Sequence, residues 1–157
     1  MVHVAHGPDQ LAVEDQRRWE DATVCVERLR RLEPDDVVVK LSLAELLLEA
    51  SSGGRNVFQK VVRLAEGVEN ETSVHTALLF YKAKALRGLG LLDAARDTLT
   101  GALRRKKDRS GDLLRAIRYE RIQVYDDLGQ HRRARSELEK LYAEAPDYED
   151  VATRLGL

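Results

Sequence analysis

Histidines and paired aspartates are the residues whose types and spacing could carry out metal or acid–base chemistry in this chain. His3 and His6 have the spacing of two metal ligands, but no carboxylate or thiol accompanies them at ligand spacing. Asp35-Asp36 and Asp126-Asp127 are adjacent in sequence. The two carboxylates of each pair should therefore point to different faces of a helix, or cap it, and cannot easily flank one substrate atom. We predict a non-enzymatic protein with no catalytic residues, no metal and no cofactor.

The glycines and the single cysteine argue against a dinucleotide-binding site and an intrachain disulfide. Gly88-Leu89-Gly90 lacks the preceding strand and the further glycine of a dinucleotide-binding loop, so we expect it to close a helix. The single cysteine, Cys25, cannot form an intrachain disulfide, which agrees with a reducing compartment. We expect Cys25 to be a small buried residue on a helix.

No stretch approaches the ~20 apolar residues of a membrane span, so we expect a cytoplasmic protein without membrane contact.

Charge is distributed unevenly along the chain. The formal net charge is −1, but residues 1–75 carry 9 basic and 14 acidic residues. A basic run in the second half could contact an acidic protein partner or phosphates, or could be a solvated surface that complements a helix dipole. No aromatic residues for stacking bases are interleaved with it, so we expect no nucleic acid. Its members are Arg104, Arg105, Lys106, Lys107, Arg109, Arg115 and Arg118.

Apolar residues recur with helical spacing throughout the chain. Trp19, Ala22, Val26 and Leu29 fall three or four residues apart, which places them on one face of a helix that ends before Pro34. The same spacing continues in every later segment, and no segment shows the strict alternation of a half-buried strand. The sequence therefore predicts an all-α protein.

Small or apolar residues also mark a repeat. Ala22, Val57, Ala95 and Ala134 occupy equivalent positions at separations of 35, 38 and 39 residues. Periods of this size are typical of stacked helix pairs, in which each pair buries its apolar face only against its neighbours.

The clearest repeat runs from Tyr125 through Leu128-Gly129, Ala134, Leu138 and Leu141 to Pro146, and it resembles the tetratricopeptide repeat. Parts of the same pattern occur around Ala95 and Ala22, whereas the pair around Val57 departs from it. The resemblance implies one domain over residues 1–157, an α-solenoid of about four antiparallel helix pairs in a right-handed superhelix. The approximate repeats are 9–34, 35–69, 70–107 and 112–146, followed by a short C-terminal capping helix in 147–157. Another helical-pair solenoid is the alternative.

In the tetratricopeptide family the first helix of each pair lines a concave groove, so the resemblance implies a peptide-binding site on those helices. Phe80 and Tyr119 would offer rigid aromatic surface to a bound peptide, and Lys84 with Arg87 would hold its carboxylates. Alternatively these charges only solvate an exposed face and Phe80 belongs to the core. The implied groove residues are Leu41, Glu45, Glu49, Phe80, Lys84, Arg87, Tyr119, Gln123, Asp126 and Asp127.

Three functions remain open from the sequence. The first is an adaptor or scaffold that binds a peptide or helical segment of another protein. The second is self-assembly, because imperfectly capped ends of a helical stack favour a homodimer. The third is a regulatory module that senses a peptide or RNA.

Overall fold

The computed structural model describes residues 8–50 and 54–157, with side chains from residue 16 onward. These residues form eight helices and no strand. They are α1 (Pro8–Leu32), α2 (Val37–Ala50), α3 (Arg55–Leu64), α4 (Ser73–Gly88), α5 (Leu92–Ala102), α6 (Gly111–Asp127), α7 (His131–Glu144) and α8 (Val151–Arg154). The all-α prediction is confirmed. None of the described helices combines the length and hydropathy needed to cross a bilayer.

The first predicted helix pair is a single helix. The repeat assignment predicts a helix pair in residues 9–34, but α1 runs without interruption from Pro8 to Leu32. No glycine or proline interrupts the chain between Asp9 and Glu33, so nothing in the local sequence breaks the helix. Among the described residues, each helix from α1 to α7 contacts the helix that follows it in the chain.

Helix ends follow the local sequence signals. The Asp36 carboxylate accepts hydrogen bonds from the backbone of Val38 (2.9 Å) and Val39 (3.3 Å), which caps α2 as the sequence predicts. Ser110 caps α6 in the same way by accepting from the backbone N–H of Leu113 at 3.1 Å. The serine and glycine residues at 51–54 predict the end of α2, but residues 51–53 lie outside the described residues.

Two helix turns 39 residues apart have the same geometry. Gly90 and Gly129 adopt φ values of +77° and +79°, the left-handed region that favours glycine. After α4 the N–H of Leu91 donates to the carbonyl of Leu86, and after α6 the N–H of Gln130 donates to that of Tyr125. This six-residue bond, together with the shorter bond from each glycine N–H, is the Schellman closure of a helix.

The core consists of three consecutive clusters. The first joins α2, α3 and α4, the second α4, α5 and α6, and the third α6, α7 and α8. Ala95 and Ala134 are buried between the helices of their pairs, as the repeat marks predict, whereas Ala22 and Val57 are half-buried. Alternate helices also meet, because α2 contacts α4 and α4 contacts α6.

The prediction that Cys25 is buried is wrong. The side chain is exposed on α1. Among the described helices α1 contacts α2 alone, so only one side of α1 is covered.

Candidate functional site

The predicted groove residues lie on α2, α4 and α6. Of these helices, α4 contacts both α2 and α6. Their environments differ between the α2–α4 part and the α4–α6 part. The predicted groove residues on α6, and Arg87 on α4, are engaged by other side chains of the same molecule, whereas Glu45, Glu49 and Lys84 are exposed.

Arg87 connects α4 to α6. Its Nε donates to Asp127 Oδ2 at 2.6 Å, and its Nη1 lies 3.4 Å from Glu120 Oε1. The Glu120 side chain is only 9% exposed, against 40% for Asp127. Burial lowers the pKa of the Arg87 guanidinium, but the hydrogen bonds and charges of the two carboxylates outweigh burial and raise the pKa above its ordinary value. With Lys84 and Gly88 these residues line an open recess of about 410 Å³.

The other face of α6 is occupied by the C-terminal segment. Tyr119 donates a hydrogen bond to Asp150, and burial followed by that bond raises the pKa of the phenol. Arg154 donates to Gln123 Oε1 at 3.1 Å and forms an ion pair with Asp126. These three predicted groove residues are therefore used to attach α8, which leaves them poorly placed to contact a ligand.

The α2–α4 part is the open part of the site. Leu41 packs against the first core cluster, while Glu45 and Glu49 are exposed on the same helix. The pKa of Tyr81 on α4 is raised by burial and then by the charges of Glu45 and Glu49.

Phe80 has a double role. Its ring is half-buried and packs against the second core cluster, yet the ammonium of Lys84 lies 5.1 Å from the ring centre. Its ring centre is also 5.4 Å from that of Tyr81. Phe80 and Lys84 therefore lie toward α6, whereas Tyr81 packs against the first core cluster, which α2 shares.

The basic run divides into two groups. Arg104, Arg105, Lys106 and Lys107 are exposed and form no ion pair within the described residues. Arg115 donates to Asp112 at 2.8 Å, and Arg118 to Glu144 at 2.5 Å.

Arg109, the remaining member of the run, is a structural residue. Its Nε donates to Thr76 Oγ1 at 3.0 Å, and its Nη2 donates to the backbone and side-chain oxygens of Asn70 at 3.3 and 3.2 Å. Asn70 Nδ2 in turn donates to the carbonyl of Ala102 at 3.1 Å. This network ties the loop before α4 to the loop before α6. The seven basic residues therefore do not form one continuous free surface.

The adjacent aspartates on α6 have different partners, and the described residues hold no cluster of metal-ligating side chains. Asp126 faces Arg154 while Asp127 faces Arg87, so the adjacent carboxylates have different partners. No group of three His, Cys, Asp or Glu side chains in the described part of the chain is placed to hold a metal ion. His3 and His6 lie outside the described residues.

Sequence reasoning identified neither the contacts of Tyr81 and Glu120 nor the Asn70 network. Tyr81 and Glu120 directly follow predicted groove residues on their helices, and only the packing of α2 and α6 against α4 reveals what each faces. Asn70 is the first residue of the predicted repeat 70–107. Its position between two repeats was the one available signal.

Comparison with known protein families, curated proteins and solved structures finds no match to this chain. The tetratricopeptide resemblance stays a prediction.

Proposed function

We propose that the protein is a non-enzymatic binding module, in which successive helix pairs stack as a right-handed tetratricopeptide-like solenoid with α2, α4 and α6 along its inner wall. Three observations support this arrangement. The core is divided into clusters shared by consecutive helices, α4 contacts both α2 and α6, and the turns at Gly90 and Gly129 are equivalent. The proposed ligand is a segment of another protein.

The proposal depends on the open α2–α4 face, and the side chains of this face predict the chemistry of the ligand. Glu45 and Glu49 are exposed on α2, which packs against the helix that carries the half-buried Tyr81, so a lysine or arginine of the ligand would pair with the carboxylates and lie against the aromatic surface. Lys84 over Phe80 would contact a carboxylate or carbonyl of the same segment. We therefore propose an extended or helical segment with a basic side chain next to apolar ones.

Selection from a random peptide library tests this specificity. The wild-type protein should enrich peptides that carry a basic residue beside an apolar one. The E45K/E49K variant should lose these peptides and enrich acidic ones instead, because its charge at the site is reversed. The control E66K/D147K makes the same charge change at two exposed positions off this face and should enrich the wild-type set.

A single reversal on α4 provides a second test. Lys84→Glu should change the enriched peptides, whereas Lys106→Glu on the basic run should not. Arg87 is unsuitable for this purpose because its loss would also break the ion pairs to Glu120 and Asp127. Enrichment that is identical in wild type, E45K/E49K and Lys84→Glu would refute the proposed site.

A further inference from the structure

A recess of about 360 Å³ is lined by residues of α1, α2 and α3. Both α1 and α3 contact α2, and the described parts of α1 and α3 do not contact each other. Three buried leucines line the recess, Leu43 and Leu47 of α2 and Leu64 of α3. We call it the basic recess, and its other lining residues are Glu27, Arg30, Arg31, Lys60 and Arg63.

Positive charge is concentrated at the basic recess. Arg30 and Arg31 belong to α1, and Lys60 and Arg63 belong to α3. Against these four cations, the lining residues include the single carboxylate of Glu27, so the excess is three positive charges. None of the four cations forms an ion pair with a carboxylate among the residues that the structure describes.

Helix dipoles offset part of this excess. Arg30 and Arg31 lie in the last turn of α1, and Arg63 lies in the last turn of α3. The C-terminal end of a helix is equivalent to about half a negative charge, so the two ends leave about two positive charges uncompensated. In addition, the Nε of Arg30 is buried and has no hydrogen-bond partner within the described part of the chain. Both observations favour an anion at this place.

We propose that the basic recess binds a small organic phosphate monoester. Such a group carries about two negative charges at pH 7, which matches the charge excess of the recess. Its oxygens accept the paired hydrogen bonds that arginine side chains donate. The volume lies at the lower end of the range for small-molecule sites, about 300 to 1,000 Å³, so a compact apolar substituent would lie against the three leucines.

The basic recess is separate from the proposed peptide site. Leu43 and Glu45 are two residues apart on α2, as are Leu47 and Glu49, and two residues correspond to about 200° of rotation around a helix. The leucines and the carboxylates therefore lie on opposite sides of α2. The phosphate proposal does not rest on the proposed function.

Titration of isotope-labelled protein with phenyl phosphate, followed by two-dimensional NMR, measures both the affinity and the place of binding. For a probe of this size we expect a dissociation constant of about 1 mM. Saturable shifts should occur in the last turn of α1, in α2 and in α3, and should be absent from α6 to α8. Phenyl phosphate should bind more tightly than inorganic phosphate, which lacks the ring, and more tightly than benzoate, which carries a single charge.

Charge variants test which side chains hold the phosphate. R30Q/R63Q should weaken binding by at least about tenfold, because charge-assisted hydrogen bonds are lost. The control R104Q/R105Q makes the same charge change at two exposed arginines elsewhere and should bind like wild type. Circular dichroism checks that the variants stay helical.

Two single variants keep the test independent of the half-buried Arg30. Lys60→Gln, at an exposed position, should weaken binding on its own. Glu27→Gln should tighten binding, because the carboxylate that repels the phosphate is removed.

Equal affinity in wild type and R30Q/R63Q, shifts that do not saturate, or weaker binding by Glu27→Gln would overturn the proposal. A tetraglutamate peptide or inorganic phosphate that binds as tightly as phenyl phosphate would also overturn it. Lys84→Glu should bind phenyl phosphate like wild type, and R30Q/R63Q should still select the wild-type peptides. Failure of the phosphate site and failure of the peptide site can therefore be told apart.

Discussion

Replacing Arg87 with methionine should destabilise the protein far more than replacing Asp127 with asparagine, although Asp127 makes the shorter contact with Arg87. The distances are 2.6 Å to Asp127 and 3.4 Å to Glu120. Glu120 nevertheless contributes more to the effect on stability, because the Asp127 side chain is 40% exposed and the Glu120 side chain only 9%. Water can solvate Asp127 when its partner is lost, but not Glu120.

The magnitudes follow from these two environments. Methionine keeps most of the apolar length of the arginine side chain but leaves Glu120 as an unpaired buried carboxylate, which costs about 3 to 5 kcal/mol. The Arg87 side chain is 33% exposed, so some solvent reaches the pair and we expect about 3 kcal/mol. Asparagine at 127 removes a partly exposed ion pair and should cost about 0 to 1 kcal/mol. The double variant R87M/E120L removes both charges and should be within about 1 kcal/mol of wild type.

Urea denaturation followed by circular dichroism measures the difference. With a slope of about 2 kcal/mol per molar urea, Arg87→Met should lower the midpoint by about 1.5 M and Asp127→Asn by less than about 0.5 M. Equal midpoints for the two single variants would refute the reasoning from burial. An R87M/E120L protein as unstable as Arg87→Met would show that lost packing, and not the unpaired Glu120, causes the effect.

Further predictions concern the tyrosines, the Asn70 network and two glycines. Burial and then the charges of Glu45 and Glu49 raise the pKa of Tyr81 above its ordinary 10.0, so its stabilisation is complete below pH 10 and is lost as the pH rises through the folded pKa. In a background in which the other four tyrosines are phenylalanine (Y119F/Y125F/Y142F/Y148F), E45Q/E49Q should lower the pKa of Tyr81 in an ultraviolet absorbance titration, and an unchanged curve would place the carboxylates elsewhere. Asn70→Ala should lose about 2 kcal/mol in thermal unfolding because Arg109 and Thr76 lose a buried partner, whereas the exposed Arg104→Ala should change little. Gly101→Ala meets open space in α5 and should stabilise by about 0.5 to 1 kcal/mol, but Gly88→Ala would place a methyl group 2.6 Å from the Phe58 ring and should destabilise unless that ring moves.

Features determined within one helix or one turn were accessible from the sequence. The turns at Gly90 and Gly129 follow from a glycine after an apolar helix end, and the burial of Ala95 and Ala134 follows from their place in the repeat. The Asp36 cap is equally local. These elements need only neighbouring residues to form.

Features that depend on how helices approach one another were not accessible. Arg87 meets Asp127 across 40 residues, and Arg154 meets Asp126 across 28, so helical spacing alone does not show that these groups are already paired. The exposure of Cys25 has the same origin, since it depends on which side of α1 meets α2. The predicted helix pair in residues 9–34 is wrong for a different reason, because no glycine or proline between Asp9 and Glu33 ends the helix that the repeat period would divide.

Amide hydrogen exchange with and without a peptide selected by the wild-type protein tests the central claim most directly. The proposed site predicts slower exchange in α2 and α4 when the peptide binds, with the effect lost in E45K/E49K. Slower exchange confined to α1 or to α6–α8, with α2 and α4 unchanged, would contradict a binding face built by Glu45, Glu49 and Lys84.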